Sequence, residues 1–348
     1  MKTILAIDTS CDETSAAIVQ DRRVLSHVEY SQIVLHQKWG GVVPNIAKRA
    51  HEERIDWVLD TAMKKSKLSM QDIDAIAVTY GPGLALALGV GIIKAQELSV
   101  KYNKPLIGVN HMEGHLYSPF VQNSKGNPAR SFAFPYLGLL VSGAHTELVK
   151  FTDHLTYEIL GETRDDAAGE ALDKAARMLG FGYPGGATIE QLAREVDNKD
   201  IYHFPQPMIG SGDLEFSFSG LKTAFLYKIQ KMSDAEKNEQ LRFLASSFQE
   251  ALFQTLMKKT RKAMMKTGIT NVLVGGGVAV NERLRTTLRG MVKRQGGTVW
   301  YPPYNYLNND NAAMIGLVGG VRAERGLYVP DISKVVRVAR LSLAQSSL

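Results

Sequence analysis

The chain of 348 residues holds one cysteine, Cys11, so an internal disulfide is excluded and a reducing compartment is expected. Long apolar runs are missing too: the stretch 84–93 is far short of the ~20 residues that cross a bilayer. The opening Met-Lys-Thr-Ile-Leu-Ala-Ile-Asp meets a charge too early for the apolar core of a signal peptide. These absences together predict a cytosolic protein with no membrane partner. Also absent is the zinc-peptidase pattern His-Glu-x-x-His. His111 and His115 stand four residues apart, but the only acid between them is Glu113. On a helix it lies about 200° around from His111, away from the face that the two imidazoles share. Peptide hydrolysis is therefore not the natural inference.

What is present is an ordinary globular composition, 45% hydrophobic and 22% charged, at a length that suits two domains. The formal net charge of +6 permits a polyanionic partner without requiring one. Basic residues concentrate late: Lys258, Lys259, Arg261, Lys262 and Lys266, then Arg283, Arg285, Arg289, Lys293 and Arg294, then Lys334, Arg337 and Arg340. Such runs are usually solvated helix faces; their recurrence makes them candidates for an RNA surface.

Periodicity divides the chain into two similar halves. The first reads as strands at 3–8, 14–20 and 24–30, a helix at 45–65, a strand at 73–80, a Gly-Pro-Gly turn, a helix to 102, a strand at 106–109 and the histidine helix. A connector rich in Asn, Ser, Gly and Pro covers 122–134. The second half reads as strands at 136–141, 146–151 and 157–160, with helices at 167–179, 188–196 and 241–266. It continues with a strand at 271–274, a helix at 281–294, a strand at 298–301 and a helix at 312–325. This is a duplication of architecture, not of sequence. It predicts an α/β fold of two RNase H-like domains of the actin/Hsp70/sugar-kinase (ASKHA) type, which clasp a nucleotide in the cleft between them. The expected domains are 1–130 and 131–324, with 325–348 packing back on the first.

The first turn of each half is made of small and hydroxyl residues, Asp8-Thr-Ser-Cys-Asp-Glu-Thr-Ser15 and Val141-Ser-Gly-Ala-His-Thr146. Backbone N–H groups and hydroxyls of such loops can approach a phosphate, although each is also an ordinary tight turn. Gly276 and Gly277 lie in a glycine run that follows a strand and opens a helix, where a backbone can touch an anionic ligand. Asn281 either caps that helix or bonds a ribose or base. Asp310 precedes an apolar helix. It is either an N-cap or the carboxylate of a two-His-one-carboxylate metal set.

Several long motifs then occur in order along essentially the whole chain. They are Asp8-Thr-Ser-Cys-Asp-Glu-Thr14, Gly40-Gly-Val-Val-Pro44, Gly81-Pro-Gly83, His111-Met-Glu-Gly-His115, Val141-Ser-Gly143 and Asp165-Asp-Ala-Ala-Gly-Glu-Ala171. Tyr183-Pro-Gly-Gly186, Phe216-Ser-Phe-Ser-Gly-Leu-Lys-Thr223 and Gly276-Gly-Val278 complete the set. On these the chain resembles the TsaD (formerly Gcp) family, the tRNA adenosine threonylcarbamoyltransferases. The resemblance implies transfer of threonylcarbamoyl from threonylcarbamoyl-AMP to the exocyclic amine of the adenine beside the anticodon, position 37, in tRNAs reading codons that start with A. AMP leaves.

It further implies that His111, His115 and Asp310 bind one divalent metal, Fe(II) in preference to Zn(II). Leu140, Val141, Ser142, Gly143 and Ala144 would line the phosphate and acyl region. Asp173, Gly186 and Asn281 would hold the adenylate with Glu190 near its ribose, and Asp12 and Glu13 would assist from the first loop, where the chemistry lets either carboxylate take the amine proton. Implied partners are tRNA, a non-catalytic TsaB-like paralogue and a small TsaE-like P-loop ATPase.

Three positions depart from the family pattern. Ala144 and Ala187 stand where Gly and Pro are usual, and Asn309 where Thr is usual. If Ala144 needs positive φ, it costs roughly 1 kcal/mol or more. The rival readings are an ASKHA small-molecule kinase or ATPase, a metallopeptidase and a non-catalytic scaffold.

Overall fold

The structure is a computed structural model that describes residues 1–345. It divides into two compact units, Met1–Ala133 with the chain from Pro302 onward, and Phe134–Tyr301.

The first unit begins with β1 (Thr3–Asp8), apolar at its centre, and β2 (Glu13–Gln20), whose first half is polar and centre apolar; both are buried on both faces. They form a hairpin registered from Thr3 opposite Gln20 to Asp8 opposite Ser15. β3 (Arg23–Ser31) follows at the sheet edge, and its burial alternates as an edge strand's should. After α1 (Ile33–Gln37) comes α2 (Pro44–Ser66), whose Pro occupies the first turn, where no intrahelical N–H is needed. The parallel strands β4 (Ala75–Gly81) and β5 (Leu106–Asn110) are joined by α3 (Ala85–Tyr102) and lead into α4 (His111–Tyr117). The sheet order is β3-β2-β1-β4-β5.

The second unit starts again with three strands, β6 (Tyr136–Val141), β7 (Thr146–Asp153) and β8 (Thr156–Glu162). Four helices follow: α5 (Ala168–Met178), α6 (Gly186–Arg194), α7 (Ser219–Gln230) and α8 (Asp234–Thr267). Then come β9 (Val272–Gly275), α9 (Glu282–Arg294) and β10 (Val299–Trp300). The sheet order β10-β9-β6-β7-β8 repeats that of the first unit, so the duplicated architecture expected from the sequence is present.

Two sequence expectations need correction. The last helix, α10 (Ala312–Glu324), was expected in the second domain, yet it packs on the first sheet. Its glycines permit this: a Cβ on Gly316 would come within 2.5 Å of Val19, and one on Gly319 within 2.7 Å of Ala77. The boundary expected at 324 therefore falls at 301. The described residues beyond α10 pack on the same unit, with Val335 and Leu341 in its core and the Val338 N–H donating to the Tyr80 carbonyl at 2.8 Å. The second correction concerns helix α7 and the first two turns of α8, which apolar periodicity did not reveal. Residues 234–240 are almost wholly polar. Their start was nonetheless written in the Ser233–Glu236 capping box, with both reciprocal bonds formed.

One carboxylate in the second unit is held at a cost. Glu147 on β7 is 7% exposed, its Oε2 has no hydrogen-bond partner among the described residues, and Glu162 lies opposite it in register. Burial, reinforced by the Glu162 charge, pushes its pKa up to about 7 from an ordinary 4.5. The folded state thus binds the proton more tightly than the unfolded chain. The associated stability is complete below about pH 4.5 and is lost as pH rises through 7. Glu147→Gln is expected to stabilise the protein by on the order of 2–3 kcal/mol at pH 8 and to change little at pH 4. Urea melts at the two pH values check this; equal effects at both would contradict it.

Candidate metal centre and nucleotide loops

β5 ends at Asn110, whose Oδ1 accepts the Met112 N–H at 2.8 Å and so caps α4. The helix then carries His111 and His115 one turn apart, with ring centroids 4.7 Å apart and edge to face. Asp310 arrives from the loop before α10. Its Oδ1 lies 3.1 Å from His111 Nε2 and 3.4 Å from His115 Nε2. The N-cap alternative for Asp310 does not hold: Asn311 caps α10, its Oδ1 accepting the Met314 N–H at 3.0 Å. The Asp310 carboxylate is thereby left for the histidines.

The electrostatics of the trio follow from its burial. The His111 and His115 side chains are 6% and 0% exposed, whereas Asp310 retains 23% and forms the open edge. Burial opposes a charge on His111, but the Asp310 and Asp8 carboxylates more than offset this and raise its pKa to about 10. Burial likewise opposes the Asp310 charge, yet His111 beside it holds Asp310 well below the usual carboxylate range. His115 is pushed down, by burial first and by the neighbouring His111 charge, and is neutral.

The residues fit a divalent cation. One donor atom from each of His111, His115 and Asp310 lies within 4.8 Å of the others. Among the described residues, both nitrogens of His115, Nδ1 of His111 and Oδ2 of Asp8 are buried without a hydrogen-bond partner, a costly condition that metal ligation would relieve. Asp8 Oδ2 sits 3.4 Å from His111 Nδ1, where a carboxylate typically orients a ligating imidazole. The sequence puts Asp8 at the end of the first strand and the head of the loop after it, and its tie to His111 has no local signal.

Asp12 and Glu13 stand at the start of β2, and both have raised pKa values, by burial first, with the charge of Asp310 adding to it. A carboxylate so raised is a better proton acceptor near neutrality. Ser10 Oγ donates to Asp310 Oδ2 at 3.4 Å, but two other hydroxyls of this loop turn inward. Thr9 Oγ1 donates to the Ala87 carbonyl and accepts from Gly91, and Thr14 Oγ1 pairs with His51 Nδ1 at 2.7 Å. His51 also bonds the Cys11 carbonyl through Nε2 at 3.0 Å, so this buried histidine clamps the turn. The expectation of phosphate-facing hydroxyls thus fails for Thr9 and Thr14, because neighbouring helices supply their partners.

Within the second unit the other expected residues form one connected set. Leu140 and Val141 end β6 fully buried. Ser142 Oγ accepts from the N–H groups of Ala144 and His145, and its carbonyl accepts from Gly169. Gly143 and Ala144 are exposed, and the Ala144 backbone lies outside the positive-φ region, so alanine there is unstrained. Gly276, at φ 96°, passes so close that a Cβ would meet the Val141 carbonyl at 2.4 Å; around Gly277 space is open. Asp173 on α5 accepts from Gly185 and Gly186 at 2.7 and 3.1 Å, fixing the start of α6. Glu190 on α6 accepts the Glu282 N–H at 2.7 Å. Asn281 caps α9 with Oδ1 and donates from Nδ2 to Gln249 at 2.9 Å. The capping role of Asn281 is therefore real, and Gln249 is a partner that sequence reading missed.

The basic runs also separate. Lys259 is 1% exposed and bonds Ser211 and Asp213, Arg283 pairs with Glu250, and Arg285 donates to the Ala279 carbonyl. These three are structural. Lys258, Arg261 and Arg294 instead line a groove between α8 and α9 together with Gln254, Thr286 and Thr287. No acid lines it.

The family model "TsaD: tRNA N6-adenosine threonylcarbamoyltransferase" matches residues 23–317. A tRNA N6-adenosine threonylcarbamoyltransferase of Kosmotoga olearia is 44% identical over 341 residues, covering 98% of this chain and 99% of that protein. Its counterpart from Thermosipho melanesiensis is 46% identical over 316 residues, covering 91% and 93%. Among solved structures, T. kodakarensis HypF aligns with a TM-score of 0.60 at 15% identity, which shows the fold alone. The alignment covers 93% of this chain and 49% of HypF, so the chain spans about half of that protein's length. No helix of the described residues is long and apolar enough to cross a membrane. By sequence over nearly its full length, the chain belongs to the TsaD family of enzymes, the tRNA N6-adenosine threonylcarbamoyltransferases.

Proposed function

We propose that the enzyme takes threonylcarbamoyl from threonylcarbamoyl-AMP and places it on the exocyclic amine of the adenine at position 37, in tRNAs reading codons that start with A, releasing AMP. The observation that carries the metal-assisted part of this reading is the buried His111–His115–Asp310 trio, in which three imidazole nitrogens form no hydrogen bond among the described residues. A divalent ion bound there, Fe(II) in preference to Zn(II), would polarise the acyl oxygen or neutralise phosphate charge as AMP departs. His111 and His115 would hold it through Nε2 and Asp310 through its carboxylate, while Asp8 fixes the His111 ring.

The amine is a weak nucleophile, its lone pair delocalised into the purine, so positioning and charge stabilisation carry much of the acceleration. Asp12 or Glu13 accepts the amine proton, a role supported by their raised basicity. In the second unit, Leu140–Ala144, Gly276 and Gly277 present backbone to the phosphate and acyl groups. Asp173 and Glu190 each use one carboxylate oxygen in the bonds given above; the other receives hydroxyls of the adenylate. Gly186 and Asn281 shape the same edge. Peptidase chemistry is disfavoured because Glu113 is fully buried and paired with Arg322, so it cannot activate a water at the trio. A cytoplasmic enzyme working with a TsaB-like paralogue and a TsaE-like ATPase is the setting that the family membership supports.

Incubating the protein and those partners with threonylcarbamoyl-AMP and unmodified tRNA is expected to give one threonylcarbamoyladenosine per AMP released, read by nucleoside mass spectrometry. AMP release with unmodified tRNA would overturn the reading. The groove of Lys258, Arg261 and Arg294 is the proposed tRNA phosphate surface. Changing all three to Gln is expected to flatten the slope of log K against log salt by about 2–3, since each phosphate contact contributes roughly 0.7–0.9. An unchanged slope would remove the groove from the interface.

A further inference from the structure

Glu113 has the sequence position of a metalloenzyme acid but none of its surroundings. It lies between His111 and His115 on α4 and is 0% exposed. Both its carboxylate oxygens accept from one nitrogen, Nη2 of Arg322, at 3.0 and 3.1 Å. Arg322 is 4% exposed and stands on α10, the helix that opens directly after Asp310. Next to Glu113 the helices approach so closely that a Cβ on Gly114 would meet Met314 Cγ at 2.8 Å and Ile315 Cδ1 at 3.0 Å. The two elements joined by this ion pair are therefore the same two that supply the trio, the histidines from α4 and Asp310 from the entry to α10.

A buried ion pair is weak evidence for stability, because desolvating both charges offsets most of their attraction. It does demand a defined geometry, since either charge left alone in the core is strongly unfavourable. Gly114 sets how near the helices come. The Glu113–Arg322 pair sets how they slide and rotate, and through them the separation between two imidazoles and a carboxylate. Ligand sets held by oriented neighbours lose about 10–100-fold in metal affinity when that support is removed.

We propose that Glu113 and Arg322 are positioning residues for the metal trio, pinning α4 to α10 so that His111, His115 and Asp310 converge on one cation that neither residue touches. The proposal rests on the reading of the trio as a metal site, and its test separates the two. Co²⁺ alone is titrated into the full-length metal-free protein, following visible absorption and affinity by competition, for wild type, Arg322→Lys and the double variant Glu113→Leu/Arg322→Met. Wild type is expected to bind one Co²⁺. The double variant removes both buried charges, so its melting temperature is expected to stay near wild type while its Co²⁺ affinity falls 10–100-fold and its absorption band shifts. Arg322→Lys keeps the charge and the fold but loses the planar guanidinium, and its affinity is expected to fall by a smaller factor. Wild-type protein that binds no Co²⁺ overturns the metal site itself. Wild-type binding with unchanged affinity and band in both variants overturns the positioning role alone. Should the double variant fail to fold, the Arg322→Lys titration decides.

Discussion

Asp310→Ala is expected to empty the metal centre and to lower threonylcarbamoyl transfer by about 10²–10³-fold, while the protein remains folded. The site loses its half-open carboxylate, and two imidazoles on one helix without it hold a divalent cation poorly. Removing one well-aimed electrostatic contribution to a transition state typically costs about 2.7–4 kcal/mol, which sets the fold-loss. Folding survives because His111 retains Asp8 at 3.4 Å as a partner for its charge. Asn309→Ala, one residue earlier and exposed, is the control and is expected to leave metal content and transfer unaltered. Elemental analysis beside a transfer assay checks both. Full metal content in Asp310→Ala would refute the ligand assignment, and lost metal with undiminished transfer would confine the ion to a structural part.

The second large effect lies in the other unit and compares adjacent glycines. Gly276→Ala must accept φ 96°, costing about 1 kcal/mol, and a Cβ 2.4 Å from the Val141 carbonyl, where overpacking costs a further ~1–3 kcal/mol. A loss of roughly 2–4 kcal/mol is expected, or a melting point about 5–15 °C lower for a unit of this size. The backbone of Val141 and Ser142 would shift with it, so affinity for the adenylate should fall as well. Gly277→Ala meets nothing within 4 Å and has no positive φ, so its stability is expected within about 0.5 kcal/mol of wild type. Calorimetry on both variants tests the comparison. Equal melting points would mean that the close passage of Gly276 over β6 is not a constraint.

Much of this fold was legible because strands such as β1 and β6 are largely apolar runs, α2 opens on Pro44 and Asn281 caps the start of α9. The repeated order of three strands then gave the duplicated architecture. What escaped the sequence was non-local. Nothing near Ala312 says that α10 returns to the first sheet; that depends on Gly316 and Gly319 fitting against Val19 and Ala77. The two histidines declared themselves by spacing, whereas local pattern left Asp310 between an N-cap and a metal ligand; the family resemblance favoured the ligand, and Asn311 takes the capping role. Asp8, Arg322 and Gln249 act across 103, 209 and 32 positions on His111, Glu113 and Asn281, distances at which local pattern carries no information. The basic runs misled in part for the same reason: the acceptors that bury Lys259 and pair Arg283 lie in other elements.

The central claim is that this chain transfers threonylcarbamoyl with the help of a cation held by His111, His115 and Asp310. Its most direct test is a single-turnover transfer from threonylcarbamoyl-AMP to unmodified tRNA, with partner subunits present, comparing protein stripped by chelator with the same protein after Fe(II) or Zn(II) is restored. The account predicts transfer at most a few per cent of normal without metal and recovery at one equivalent, with Fe(II) the better of the two. Undiminished transfer by protein verified to be metal-free would contradict it.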